Sequence, residues 1–193
     1  MRRLGLIGLW GATLVSAAGC GGELMTWRKQ PPAPSLAGKV VITVADRRAG
    51  SQGGDDPSLV GSEHGALFIP HALRLSGPTE AADRIRTLVA EAALTAGVGV
   101  APPGDGSGTA RLAVEIHNMW CDGISLAYTK ARLIASAIVT GPEGAVRANM
   151  PLQVEGAGAH CSDAYETMLN NAYSSASAQM NDPHLKAALT GGN

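Results

Sequence analysis

The sequence predicts an α+β fold, a two-layer sandwich with a mainly antiparallel meander sheet and with helices packed on one face. Two kinds of pattern predict it. Apolar and polar residues alternate with a period of two in residues 110–117, 126–139 and 146–155, which is typical of half-buried strands joined by turns. Apolar stripes of helical period run through residues 79–96 and 162–180, and each stripe needs a sheet or another helix to cover it.

The other strands are predicted from shorter patterns. Residues 39–45 are a continuous β-branched run, which favours a central strand. Residues 49–65 are rich in Gly, Ser and Asp and predict a loop. Residues 67–75, interrupted by Pro70, predict an edge strand, because proline has no amide hydrogen to donate to a neighbouring strand. Residues 98–101 add a short strand after the first helix.

The helix ends carry recognisable signals. Thr79 is the expected N-cap of the first helix, and Gly97 is expected to end it. Ser162 is the expected N-cap of the second helix. Asp182 followed by Pro183 predicts a short last helix, with Asp as the cap and Pro in the first turn.

Length and composition limit the class of protein. The 193 residues predict one α+β domain at 38–190, preceded by a signal peptide at 1–19 and a Pro-rich tether at 20–37. A formal net charge of -1 provides no long-range field to attract nucleic acid, so no nucleic-acid partner is expected. A mean hydropathy of +0.07 excludes a polytopic membrane protein.

The first twenty residues predict export. A cationic start precedes an apolar stretch at 4–18, which is short for a bilayer core about 30 Å thick and is typical of a signal peptide. The sequence Ala-Ala-Gly-Cys at 17–20 resembles the bacterial lipobox, which implies that Cys20 carries acyl chains such as palmitate and anchors the protein to a membrane. The alternative is secretory cleavage after Ala17 or Ala18, which leaves a free thiol at Cys20.

The other two cysteines predict a disulfide. An oxidising compartment would pair Cys121 with Cys161, closing a loop of about 40 residues. Two free thiols are one alternative. A metal site with His117 and His160 is another, but His117 and Cys121 on one strand would lie about 13 Å apart, which is too far for one zinc ion.

No catalytic, cofactor or metal motif is recognisable in the sequence. The Gly-Asp-Gly-Ser-Gly segment at 104–108 lacks the Lys and the following helix of a phosphate-binding loop. The consecutive Ser-Glu-His at 62–64 would point its side chains to opposite sides of an extended chain. Asp46 and Arg48 are interpreted as an ion pair or a turn at a strand end, with a ligand site as the alternative.

Tyr128, Lys130 and Arg132 share one face of a predicted strand and form a basic, aromatic ridge. Two interpretations stay open. The ridge is either an ordinary solvated face or a docking surface for an envelope protein or a glycan.

Several stretches resemble the YajG-like family of bacterial envelope lipoproteins. They are the strand and its polar end at 41–48, the strand at 128–139, and the segment Leu-Gln-Val-Glu-Gly at 152–156. The resemblance implies an envelope lipoprotein that faces the periplasm on the outer membrane, in a family without assigned chemistry.

These observations predict an outer-membrane-anchored periplasmic lipoprotein that is not an enzyme and that binds or scaffolds an envelope component. The alternative is a periplasmic hydrolase or small-ligand-binding protein with a site under the 49–65 loop. Such a site would use Asp55, Asp56 or His64 near Asp46.

Overall fold

Seven strands of the described residues form one mixed sheet that curls into a half-barrel. The computed structural model describes residues 37–64, 70–76, 80–102, 108, 110–125 and 128–191. The strands are β1 (Ala37–Asp46), β2 (Leu59–His64), β3 (Pro70–Arg74), β4 (Val98–Val100), β5 (Ala110–Ser125), β6 (Tyr128–Thr140) and β7 (Val146–Gly158). The helices are α1 (Ala81–Thr95), α2 (Cys161–Met180) and α3 (Pro183–Thr190), with a 3-10 turn at Gly50–Gln52.

Strand β5 organises the sheet. Along one edge it pairs antiparallel with β6, which pairs in turn with β7. Along its other edge it pairs in parallel with two strands in succession, first with β1 and then with β2. Strand β4 lies outside β1 in parallel, and β3 lies outside β2 as an antiparallel edge strand.

The predicted fold class is wrong, because the sheet is mixed and curled rather than one layer of an antiparallel sandwich. Consecutive strands β5, β6 and β7 do pair antiparallel, as their alternating sequences indicate. Strands β1, β2 and β4 instead find partners that lie beyond a helix or a long connection, and such crossovers produce parallel pairs. Alternation within a strand carries no information about these distant partners.

Two strand segments extend beyond the sequence prediction. Strand β2 forms inside the predicted 49–65 loop, and β5 continues past residue 117 to Ser125. Gly61 explains part of this difference, since a Cβ atom there would lie 2.5 Å from the carbonyl oxygen of Cys121. Glycine in this stretch therefore permits close approach of two strands, where composition alone indicates a loop.

The helix ends differ from their predicted signals at two N-caps. His160, not Ser162, is the N-cap of α2, so the predicted cap is wrong by two residues. Asp182 caps α3 as predicted, because its side chain accepts hydrogen bonds from two amides of the first turn. Helix α1 is followed by Gly97 with φ +78°, a left-handed conformation that favours glycine. Glu80, not Thr79, is the N-cap of α1, so that predicted cap is wrong by one residue. Thr79 itself lies outside the described residues.

The core lies between the helices and one face of the strands. Strand β6 shows the division, since alternate residues are buried: Thr129, Ala131, Leu133, Ala135, Ala137 and Val139. Helix α2 packs against β7 so closely that a Cβ at Gly156 would lie 2.1 Å from the carbonyl oxygen of Ala164. Within the described ranges, none of the helices has both the length and the apolar character needed to cross a bilayer.

Candidate functional site

The ridge of Tyr128, Lys130 and Arg132 lies on the outer face of β6, opposite the buried face. The side chain of Tyr128 is 55% exposed. The ammonium nitrogen of Lys130 lies 5.7 Å from the centre of the Tyr128 ring, within the range of a cation–π contact. The ridge therefore presents an accessible aromatic ring with a cation held beside it.

Arg132 is paired across the strands with Glu155, its direct neighbour on β7. Arg132 Nε lies 3.5 Å from Glu155 Oε1, and both side chains are more than half exposed. Exposed pairs of this kind contribute about 0–1 kcal/mol to stability. The guanidinium of Arg132 can therefore exchange its partner at little cost.

A depression of about 260 Å³ lies beside the ridge, where β6, β7 and α2 meet. Its lining residues are Tyr128, Lys130, Glu155, Gly156, Ala157, Thr167 and Asn171. The amide nitrogen of Asn171 donates a hydrogen bond to the main-chain carbonyl of Glu155 at 2.8 Å, which fixes α2 against this part of β7. The lining combines an aromatic ring, an ammonium, a carboxylate and a hydroxyl group, so it offers both donors and acceptors to a polar ligand.

Asp46 and Arg48 form the ion pair that the sequence indicates at the end of β1. Arg48 Nη2 lies 2.7 Å from Asp46 Oδ2, and the Arg48 side chain is fully buried. The same guanidinium also donates to main-chain carbonyls of Gly53, Pro57, Leu59 and Met119. Because every contact is internal, this pair joins β1, β2 and β5 and is not a ligand site.

The start of α2 is held against the sheet by two contacts. Cys121 on β5 and Cys161 on α2 are joined in a disulfide, with their Cα atoms 5.9 Å apart. The Tyr165 hydroxyl donates to the carbonyl oxygen of Val60 on β2. Complete burial raises the pKa of Tyr165 well above its usual value, so this donor stays protonated.

The histidines next to the two cysteines have other contacts. His117 Nε2 lies 2.9 Å from Ser136 Oγ on the outer face of the sheet. His160 Nδ1 lies 3.5 Å from a carboxylate oxygen of Glu63. The described part of the chain contains no group of three or more His, Cys, Asp or Glu side chains placed to hold a metal ion.

Asp56 and His64, two of the residues considered for a hydrolytic site, are engaged in local contacts. Asp56 accepts from the Ser58 hydroxyl at 2.7 Å and pairs with Arg74 on β3. The Ser58 hydrogen bond and the Arg74 guanidinium lower the pKa of Asp56 to about 2. His64 Nδ1 lies 3.2 Å from the Gly123 carbonyl oxygen, where it can donate.

None of these side chains lines the depression beside the ridge or a second concave surface, a groove between β1 and α1. Asp46, Asp55, Asp56 and His64 are absent from the depression beside the ridge and from the groove between β1 and α1. The structure therefore does not bring them together around one of these openings.

The groove between β1 and α1 is the feature that sequence reasoning missed. It has a volume of about 490 Å³ and is walled by residues 41–44 of β1 and by one side of α1. One signal for it is present in the sequence. Proline at position 103, three residues after the end of β4, has no amide hydrogen to continue the pairing with β1.

No protein-family model and no curated protein sequence matches the chain. Among solved structures, it is similar to a Xanthomonas campestris protein of the family DUF330, with 14% identity over 86% of this chain and 93% of that chain and a TM-score of 0.52. A PelC dodecamer from Paraburkholderia phytofirmans gives 12% identity, 79% and 93% coverage and a TM-score of 0.44.

A Caulobacter crescentus protein provisionally called a lipoprotein gives 11% identity, 62% and 89% coverage and a TM-score of 0.36. At such low identity, the likeness to the Xanthomonas campestris protein shows a shared fold alone.

Proposed function

We propose that this chain is a lipid-anchored, YajG-like protein of the bacterial outer membrane that faces the periplasm and binds another envelope component without catalysing a reaction. The lipobox-like sequence at 17–20 supports the anchor, with Cys20 as the acylated residue. Cys20 and the rest of residues 1–36 lie outside the described residues. The binding role is argued from the surface that the described domain offers.

One observation carries the binding role. Among the described residues, the exposed large hydrophobic side chains are Tyr128, Ile138 and Val146, and all three lie on β6 or β7. Ile138 and Val146 lie at one end of the β6–β7 pair, and Tyr128 lies ten residues away along β6, roughly 33 Å at about 3.3 Å per residue. The three side chains therefore share one sheet face without forming a single patch. The partner surface is therefore the outer face of the β6–β7 pair, with the ridge at one end of β6.

The chemistry of the ridge favours a polar partner with an acidic or hydroxyl-rich surface. Tyrosine and arginine are enriched at interfaces because they combine a large contact area with hydrogen-bonding groups. Tyr128 supplies the ring, Lys130 a cation beside it, and Arg132 a guanidinium that can leave Glu155. Together they form a surface that recognises a protein patch or a glycan without chemical reaction.

The binding role is also favoured by the state of the acidic residues near the 49–65 segment. Asp46 pairs with Arg48, and Asp56 pairs with Arg74 and Ser58. Carboxylates engaged in this way hold strands and turns together. A general base needs a free position within hydrogen-bond reach of a substrate.

The anchor is tested by labelling cells with palmitate. The wild-type chain is expected to incorporate the label and to fractionate with the outer membrane. Cys20→Ser is expected to lose the label and to be released in soluble form. An unlabelled, soluble wild-type protein in its native host would remove the basis for this part of the proposal.

The partner surface is tested by crosslinking in intact envelopes. The triple variant Tyr128→Ala, Lys130→Ala, Arg132→Ala is expected to reduce crosslinking to its partner by at least about tenfold, because loss of a central aromatic and its cations removes a few kcal/mol of binding. Arg111→Ala, which changes an exposed residue on β5, is the matched control and should retain the wild-type yield. Equal yields from the two variants would contradict the assignment of the ridge.

A further inference from the structure

One edge of the central strand β1 is only partly covered. Strand β4 pairs with β1 up to Val40, and the amide of Ala101 donates to the Val40 carbonyl at 2.9 Å. Beyond this point, no strand within the described ranges pairs with the same edge of β1. The open part runs from Ile42 to Asp46, a length of roughly 17 Å at about 3.3 Å per residue.

The sequence explains why β4 stops. In a parallel pair, the strand residue opposite Val100 is Val40, and the next carbonyl along the edge belongs to Ile42. That carbonyl would need the amide of residue 103, which is proline and has no amide hydrogen. The sequence thus supplies a local reason why, in the described part of the chain, the pairing of β4 with β1 ends at Val40.

The main-chain groups at this edge can be identified from the alternation of the strand. The Val40 carbonyl faces β4, whereas the amide of Arg47 donates to the Ile116 carbonyl on β5 at 2.8 Å. Since the amide and carbonyl of one residue face the same edge and successive residues alternate, Ile42 and Val44 face the open edge. They offer two donors and two acceptors spaced as in a strand.

The groove described above follows this open edge. Helix α1 overhangs it with Arg86, Thr87, Ala90 and Glu91, and Pro102 closes one end. The floor is mostly apolar, and the Arg86 guanidinium beside it is paired with Asp83 on the same helix. A volume of about 490 Å³ is within the usual range of ligand-binding clefts, about 300–1,000 Å³.

The outer edge of β7, unlike that of β1, is covered by a helix. Asn171 donates to the carbonyl of Glu155, and Gln179 donates to the carbonyl of Pro151. Pro151 also lacks an amide hydrogen at that edge, which prevents a further strand from pairing there. Helix α2 thus covers the β7 edge, whereas α1 stands beside the β1 edge and leaves room for a chain.

We propose that the groove between β1 and α1 binds an extended peptide segment of a partner protein, which adds to the sheet as a strand beside Ile42 and Val44. The peptide's main chain pairs with the two outward donors and acceptors, and its alternate apolar side chains contact Val41 and Ala90. Because Arg86 is already paired with Asp83 and the floor is mostly apolar, the groove favours an apolar segment over a strongly charged one. The inference rests on the proposed binding role and names a second surface for it.

Whether the β1 edge is open without peptide is tested by amide hydrogen exchange, measured by NMR on the full-length protein. The amides of Val41 and Thr43, which face β5, are expected to exchange at least about 100-fold more slowly than those of Ile42 and Val44. Slow exchange at Ile42 and Val44 without any added peptide would overturn the proposal. It would mean that another segment of this chain or a second copy already occupies the edge.

Binding is tested with a displayed library of random linear heptapeptides. A selected peptide is expected to slow exchange at Ile42 and Val44 and to bind at least tenfold more weakly to two variants. Val44→Pro removes one outward amide and leaves the pairing with β5, and Ala90→Arg fills the groove from α1. Ala178→Arg changes an exposed position on α2 and should bind as the wild type does.

The two proposals fail separately. A library that yields no peptide sensitive to Val44→Pro and Ala90→Arg would overturn the groove assignment, whatever the palmitate labelling shows. Loss of the anchor or of the ridge partner would leave the peptide measurement unchanged, because neither Cys20 nor the ridge lines the groove.

Discussion

Arg48 is the residue on which the junction of β1, β2 and β5 depends. Its guanidinium has no exposed surface, and it bonds the Asp46 carboxylate and four main-chain carbonyls. Buried carbonyls without a donor are costly, and so is a buried carboxylate without a cation. The Asp-x-Arg sequence at 46–48 is therefore explained by structure, not by ligand binding.

Arg48→Met should lower the free energy of unfolding by about 3–5 kcal/mol, because it leaves Asp46 and the carbonyls without their donor. Urea denaturation checks this value. Arg47→Met is the matched control. Arg47 Nε lies 3.7 Å from an exposed Glu115 carboxylate, and its loss should cost about 0–1 kcal/mol. Similar losses for the two variants would contradict the role assigned to Arg48.

The Asp56 carboxylate should make the stability of the fold depend on pH. Its pKa of about 2 in the folded protein lies below the usual value near 4 of an unfolded chain. Its contacts therefore stabilise the fold above about pH 4, and this contribution is lost as the pH falls toward 2. Wild type should melt at a slightly higher temperature than Asp56→Asn at pH 6, and the difference should disappear near pH 2.

A difference in melting temperature that stayed constant from pH 6 to pH 2 would contradict this account. Asp55→Asn gives the comparison at a neighbouring carboxylate. The sequence shows both Asp residues but not which of them meets Arg74, because Arg74 lies on a strand eighteen residues away.

Helix α2 is held to the sheet by contacts along its length. The disulfide to β5 and the Tyr165 bond to β2 hold its first turns, and Asn171 and Gln179 hold its later turns to β7. Gly156 lets the helix approach β7 closely. The sequence predicts the helix from its apolar stripe, but not these side-chain contacts with strand carbonyls.

Loss of the disulfide should destabilise the protein without removing α2. The bond joins residues 40 apart, and the chain-entropy model gives about 4 kcal/mol for such a loop, with about 2–4 kcal/mol typical of measurements. Cys121→Ala with Cys161→Ala should lower the free energy of unfolding by that amount and leave the helical circular-dichroism signal. Cys20→Ser is the control and should not change the free energy of unfolding.

Mass spectrometry provides an independent check. Reduction of the native protein should add the mass of two hydrogen atoms, and alkylation before reduction should leave Cys121 and Cys161 unmodified. Alkylation of both thiols in the native protein would contradict the bond.

At the scale of the whole molecule, local sequence patterns predict individual strands but not the pairing of strands that are distant in the chain. The alternating stretches correctly identify β6, β7 and the first half of β5, and the ridge side chains lie on an exposed face because alternation determines faces. The fold class fails because Val40 on β1 pairs in parallel with Ala110, seventy positions along the chain. No residue pattern within β1 specifies that partner.

For the same reason, the sequence does not predict the groove. Its walls come from β1 and α1, and its opening depends on where β4 stops. The Pro-Pro pair at 102–103 explains that end once the parallel pairing is known. Without the pairing, the same two residues indicate only a turn.

The position where the chain enters the sheet has a mechanical consequence. Residue 37 begins β1, and seven consecutive residue pairs join β1 to β5. A load applied along β1 from the N-terminal side would stress these pairs together, in shear, whereas a pull across the strand would open them one after another. A domain tethered at this point would resist a force along the tether through the β1–β5 ladder, the longest parallel pairing among its described strands.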